Sequence, residues 1–186
     1  MNLEQIINEI NKDLDDTQDN GYLIGWINRC VEDLSPIAKK ETKNVYDITS
    51  LNTYVLPEDM LELVVILVNG LEYQSVPLNN SYRAGYKIWE KVLSLQNTPE
   101  SGTIEVYYYK RLRHLENLAD VPEIEPSFHD LFVLYTIAHN QFMEDEPERQ
   151  MDAISRYNNR RQEYQAFVMK NSFTLNAQQQ ITDVWW

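Results

Sequence analysis

The sequence predicts an α+β fold: a bundle of about four helices, with an antiparallel β meander or small sheet inserted between the second and third main helices, and an extended C-terminal tail. Apolar residues recur at helical spacing near both ends of the chain. Between them, from Ser50 to Arg113, lie β-branched and aromatic runs such as Leu61–Val68 and Thr103–Lys110. Asn69-Gly70 separates two of these runs, which is the strongest short-range hairpin signal.

Leu3, Ile6, Ile7, Ile10 and Leu14 place a first amphipathic helix over 2–15. Acids near its end oppose the helix dipole and stop it there. Asp19-Asn20-Gly21 is a turn in which Asp19 or Asn20 caps the next helix. Tyr22, Leu23, Trp26, Ile27, Cys30, Val31 and Leu34 form the doubled stripe of a well-buried second helix, which Ser35-Pro36 ends or kinks.

Residues 39–44 are expected as a charged loop, and Val45–Ile48 and Thr53–Leu56 as short strands. Pro57-Glu58-Asp59 is a turn. Leu61–Val68 and Leu71–Val76 form the hairpin around Asn69-Gly70. After an irregular stretch over 77–86, Lys87–Gln96 and Thr103–Lys110 are expected to pair across the Asn97–Gly102 turn. In the latter strand Ile104, Val106 and Tyr108 share one face, and Glu105, Tyr107 and Tyr109 the other.

Ser127 is the N-cap candidate for a third helix carrying Phe128, Leu131, Phe132, Tyr135, Ala138, His139 and Phe142. The run Glu144-Asp145-Glu146 breaks it, and Pro147 opens a fourth. Met151, Ile154, Tyr157, Tyr164 and Val168 are its expected apolar side, with Arg149, Arg156, Arg160 and Arg161 on the flanks. From residue 172 the periodicity fades. The expected organisation is one domain over 1–171, with helices in 1–38 and 127–171 and a β insertion over about 45–110, followed by a tail over 172–186.

The net charge is −13, from 29 acids and 16 bases. Such a balance opposes adhesion to nucleic-acid phosphates, which requires clustered Lys and Arg. It suits either general solubility or a conduit that lets DNA slide without binding it. The single cysteine, Cys30, sits on an apolar stripe and reads as a buried, inert thiol. The N-terminus lacks signal-peptide character, and the apolar run at 63–68 is far too short to cross a bilayer, so a cytosolic product without a membrane segment is expected.

No catalytic or metal motif emerges, and no cofactor is expected. His129 and His139 are ten residues apart, off any shared ligand spacing, and His139 reads as a hydrogen-bonded core residue. The acids at 144–148 lack the spacing and central glycine of a calcium loop. A Gly-rich phosphate loop and a nucleophile elbow are both missing. Lys110, Arg111, Arg113 and His114 form the one local basic cluster. It is either a stacking and phosphate-contact site or a surface turn that offsets acids in this subunit or the next. Phe173, Leu175, Ile181, Val184, Trp185 and Trp186 place apolar surface in a segment unable to build its own core. That segment either folds back on the bundle or docks on a partner.

The chain resembles the head–tail connector (adaptor, or head-completion) proteins of tailed bacteriophages. The resemblance rests on Tyr54-Val55-Leu56-Pro57 followed by Asp59, and on the strand Leu63–Val68 leading to a glycine turn. It continues with Val106-Tyr107-Tyr108-Tyr109 and a helix opening Phe128-His129-Asp130-Leu131, with Tyr135 and Ala138. These recur in that order over most of residues 1–170.

The resemblance implies a structural virion protein, not an enzyme, made in the host cytoplasm and placed at the neck. It implies a homo-oligomeric ring of twelve subunits below the portal protein. The ring extends the DNA channel, through which DNA passes without specific binding, and meets a stopper or tail protein. The residues at 172–186 then grip the portal, and Lys110, Arg111, Arg113, Arg156, Arg160 and Arg161 become intersubunit or ring-face contacts. Another tail-completion or neck protein is the alternative within the virion. A small ligand-binding helical protein or enzyme, with a pocket near His129 and His139, is the alternative outside it.

Overall fold

The structure, a computed structural model, describes residues 1–14, 18–76, 83–143 and 147–182, with the side chains of 141–143 and 172–182 outside the description. The fold is α+β. The chain divides into two compact units: residues 1–39 with 112–186, which hold the helices, and Lys40–Arg111, which holds the strands. The β insertion is thus wider than the 45–110 expected.

In the helical unit, α1 (Leu3–Asp13) starts at a reciprocal cap. Asn2 Oδ1 accepts the Gln5 N–H at 2.9 Å, and Gln5 Oε1 accepts the Asn2 N–H at 3.0 Å. The next orphan donors are satisfied from the connector before α3: Leu3 and Glu4 donate to the carbonyls of Asp120 (2.8 Å) and Leu118 (3.0 Å). Leu3, Ile6, Ile7 and Ile10 are buried, as their spacing requires.

Helix α2 (Asn20–Ala38) is capped by Asp19, whose carboxylate accepts the Tyr22 N–H at 3.1 Å. Ser35-Pro36 does not end it. Pro36 falls in the last turn, where it removes only one donor, and Ser35 turns its hydroxyl to the Val31 carbonyl at 2.8 Å. The helix stops instead at Lys39, in the left-handed region at φ 44°.

The connector is fixed to α2 by side-chain bonds. Ser35 Oγ accepts the Leu112 N–H at 3.0 Å, and the Asn28 amide clamps Leu115 with bonds of 2.8 and 3.0 Å. Leu112, Leu115 and Ile124 then enter the core beside Leu131 and Phe132.

Ser127 is not an N-cap. It lies inside a 3-10 turn, Pro126–Phe128, that precedes α3 (Asp130–Met143), and its carbonyl accepts a bond from Arg160. Helix α4 (Pro147–Thr182) begins at proline, as expected. The acidic run Glu144-Asp145-Glu146 lies outside the described residues. The buried stripe of α4 is Ala153, Tyr157 and Tyr164, with Val168 half-buried. Met151 and Ile154, expected on that side, are 71% and 40% exposed. The 3.6-residue period through Tyr157 and Tyr164 selects Ala153 rather than its neighbours. Helix α4 continues to Thr182 through the segment where apolar periodicity fades; Leu, Ala and Gln favour helix there, and no Gly or Pro interrupts it. Its 36 residues span about 54 Å, against about 28 Å for the 19 of α2.

The strand unit holds two antiparallel sheets. One is ordered β1-β7-β3-β4, from β1 (Lys40–Asp47), β7 (Thr103–Lys110), β3 (Met60–Val68) and β4 (Leu71–Tyr73). The other is ordered β2-β6-β5, from β2 (Thr53–Val55), β6 (Val92–Gln96) and β5 (Gly85–Trp89). Four expectations are corrected here. Residues 40–44 are strand, because β1 pairs without a shift from Lys40↔Lys110 to Asp47↔Thr103. The run at 87–96 is two strands, folded back on itself at Glu90-Lys91. It pairs with β2 and not with β7, which β1 and β3 occupy on both sides. The returning strand after Asn69-Gly70 is also shorter than expected and ends at Tyr73.

Alternation in β7 is as expected: Ile104, Val106 and Tyr108 are buried with Tyr54, Leu56, Ile66, Val68, Leu93 and Leu95. Hydroxyls close the margins of this core. Tyr46 donates to the Val55 carbonyl at 2.7 Å, Tyr54 accepts the Thr49 N–H at 2.9 Å, and Tyr108 donates to Asp59 at 3.1 Å. Burial and the neighbouring Asp59 carboxylate push the Tyr108 phenol up to about 12.

Both two-residue hairpins use left-handed backbone. Asn69 and Gly70 (φ 50° and 78°) suit it; Glu90 and Lys91 (φ 46° and 64°) do not. Replacing both by Asn-Gly is expected to raise stability by about 1–2 kcal/mol, read as a higher urea midpoint at unchanged slope. In α2, a Cβ added at Gly25 meets nothing within 4 Å. Gly25→Ala is therefore expected to stabilise by about 1 kcal/mol in the same assay.

Candidate functional site

The basic residues singled out in sequence have different surroundings. Arg161 Nε lies 2.8 Å from Asp33 Oδ2, to which the Tyr157 hydroxyl donates at 2.6 Å. Arg160 bonds Asp130 at 2.8 Å and Glu163 at 2.6 Å, and its guanidinium stacks 4.5 Å over the Phe128 ring. Both arginines therefore tie α4 to the rest of the helical unit.

Arg156 is exposed on α4, and Arg113 is exposed on the connector, its N–H donating to Glu123 at 2.9 Å. Arg111 is exposed at the end of the strand unit, where its N–H donates to the Asp59 carbonyl at 2.8 Å. Lys110 closes β7 opposite Lys40 and Met60. Phe173, Leu175 and Ile181 stand on the backbone of α4, while Val184, Trp185 and Trp186 lie outside the described residues.

The histidines do not converge. His114 meets Glu32 at 3.2 Å on the surface. His139 bonds the Tyr135 carbonyl at 2.8 Å, so it is hydrogen-bonded as expected. It is only half-buried, however, and lies against the rings of Trp26 (4.6 Å) and Tyr135 (4.2 Å). His129 is the buried one. Among the described residues, no group of three His, Cys, Asp or Glu is placed to hold a metal ion. Cys30 is buried with its thiol pushed well up by desolvation, the state expected of an inert cysteine. Among the described residues the three histidines thus occupy separate settings rather than one shared site.

What the structure does present is surface. A cleft of about 540 Å³ in the helical unit is lined by Leu134, Ile137 and Ala153 together with charges of both signs, Asp13, Glu148, Arg149, Asp152 and Arg156. In the strand unit, β2, β6 and β5 place Val55, Val92 and Trp89 in one row across the sheet. Val55 is 72% exposed and Trp89 69%. Sequence reasoning missed this row, because it took 87–96 as a single strand. The one available signal was a Trp directly before two adjacent charges, Glu90-Lys91, inside an otherwise apolar run.

An acidic chain whose strand unit exposes apolar side chains such as Val55 and Trp89 carries the kind of surface that protein partners use. The family model of the SU10 adaptor proteins matches residues 1–180, and the chain belongs to that family of phage head–tail adaptors. No curated protein matches the chain. Among the described residues, no helix is long and apolar enough to cross a membrane.

The buried His129 generates a pH prediction. Its Nδ1 faces the Met1 amine at 2.7 Å, and its Nε2 faces the Ile124 carbonyl at 3.2 Å. The neutral ring accepts at the first and donates at the second. Burial holds its pKa below the usual value, so near pH 6 the unfolded chain binds more protons. This contribution is complete above about pH 6.5 and is lost as pH falls through the folded value. Chemical denaturation is expected to show stability declining between pH 7 and 5, with a shallower decline in His129→Gln. Asp120 and Glu105, whose pKa values are lowered by hydrogen bonds, add their loss only below about pH 4.5.

Proposed function

We propose that this adaptor forms a ring, of twelve copies in the virion, below the portal protein, joining phage head to tail and extending the DNA channel. Membership in the adaptor family over residues 1–180 carries this reading. The charge of −13 supports it further: a lumen that conducts DNA must not hold phosphates, and the basic residues Arg160 and Arg161 are engaged internally. Lys110, Arg111, Arg113 and Arg156 remain the ring-face candidates. A stopper or tail protein occupies the opposite face, and the reading assigns the chain no reaction.

The segment at 172–186, with Phe173, Leu175, Ile181, Val184, Trp185 and Trp186, is the proposed portal grip. Among the described side chains of α4, the buried Ala153, Tyr157 and Tyr164 and the half-buried Val168 precede it. Deleting 172–186 is therefore expected to shift the melting temperature by only about 1–3 °C while weakening portal binding at least tenfold in co-sedimentation. A large loss of stability, or undiminished portal binding, would assign the segment to the bundle instead. For the ring itself, light scattering with and without portal is expected to show assembly that depends on concentration or on portal. A chain that stays monomeric and never binds portal refutes the reading.

A further inference from the structure

Helix α4 carries a strip without charge on the side that faces away from the bundle. Ala153, Tyr157, Tyr164 and Val168 turn inward, flanked by Arg160 and Arg161 at their contacts with Asp130 and Asp33. The 3.6-residue turn places Met151, Ser155, Asn158, Gln162, Ala166 and Met169 on the opposite side. All six are exposed. Their spacing of three or four residues makes them neighbours along one strip about 27 Å long. The charged residues of this stretch fall elsewhere. Asp152, Arg156, Glu163 and Lys170 lie along one flank of the strip, and Arg160 and Arg161 on the inner side. The exposed sides of the preceding helices differ: that of α1 carries Glu4, Glu9 and Lys12, and that of α2 carries Arg29 and Glu32.

We infer that a second copy of the chain covers this strip. Net charge selects the occupant. Two copies at −13 each repel one another, so a close contact between them forms where it brings no further charge together. A partner of opposite charge would be drawn to the acidic surfaces instead. Composition points the same way. The centres of protein interfaces are poor in charged residues and rich in Met, and the strip has Met151 and Met169 at its ends with the amides of Asn158 and Gln162 between them. A wall that conducts DNA also avoids positive charge, but it gains nothing from two exposed methionines. The inference rests on the proposed ring, in which each copy meets one neighbour on either side, and it assigns one of those sides to α4.

Two measurements test it on the full chain, with and without portal. Gln162→Glu keeps the shape of the side chain and adds one negative charge in the middle of the strip. Sedimentation velocity is expected to show it raising the concentration needed for assembly by about tenfold or more, which corresponds to 1.4 kcal/mol. Asn8→Glu adds the same charge on the exposed side of α1 and is expected to stay within about threefold of wild type, since screening confines a surface charge to its surroundings. Both variants are expected to melt within about 2 °C of wild type, because both sites are exposed. In parallel, a Gln162→Cys protein is labelled with a benzophenone maleimide; Cys30 is buried and does not compete. Irradiation of the assembly is expected to join adaptor to adaptor.

Rings that form as readily in Gln162→Glu as in wild type overturn the inference and leave the ring reading standing. A product that joins adaptor to portal does the same, and so does the lack of any protein product, the result for a strip that faces DNA or solvent. An equal loss of assembly in Asn8→Glu traces the effect to net charge and also overturns it. A wild-type chain that stays monomeric with and without portal overturns both.

Discussion

The helical unit depends on Asp33 being held between Tyr157 and Arg161. These side chains connect α2 with α4, residues 124 and 128 positions apart in the chain. A carboxylate at the margin of a core is tolerated because a phenol donates to it at 2.6 Å and a guanidinium pairs with it at 2.8 Å. The same contact sets the register of α4, since Tyr157 also fills the core beside Cys30 and stacks edge-on against Tyr135. Arg160, which lies between Tyr157 and Arg161 on α4, repeats the device with Asp130 at the start of α3. Arginines that look from sequence like free surface charge are fasteners between helices.

The long separation of those helices is made affordable by the way the insertion closes. Its first and last strands pair, with Lys40 opposite Lys110. The two ends of the strand unit are therefore neighbours at the spacing of an antiparallel ladder, roughly 5 Å. A large insertion whose ends already meet adds little further loop-closure entropy for the chain that flanks it.

Much of this was legible in the sequence, and the failures have identifiable causes. The α1 and α2 stripes, the Asp19 cap, the Asn69-Gly70 turn, the alternation of β7 and the Pro147 start are local signals, and local physics decided them. The early part of β1 was missed because Lys40 to Asn44 have poor strand character; pairing with β7 makes them strand. The Glu90-Lys91 turn was missed because those residue types rarely enter left-handed backbone. Missing it misdirected the pairing of 87–96 and concealed Trp89 as a surface residue. On α4 a stripe drawn through Met151 and Ile154 was off by one or two residues, enough to exchange buried for exposed. The candidate site was legible only in part. Sequence marks Arg156 as basic and on a helix flank, but the cleft beside it arises from three helices and has no linear signature.

Helix α4 also has a mechanical meaning. It outruns α2 by about 26 Å, and an α-helix is stiff over such a distance. Anchored at Ala153, Tyr157 and Tyr164, it is a cantilever. A tilt of about 5° at Tyr164 moves the far end of the helix, roughly 27 Å on, by about 2 Å. Small repacking around Asp33 is thereby amplified into a displacement large enough for a neighbouring molecule to register.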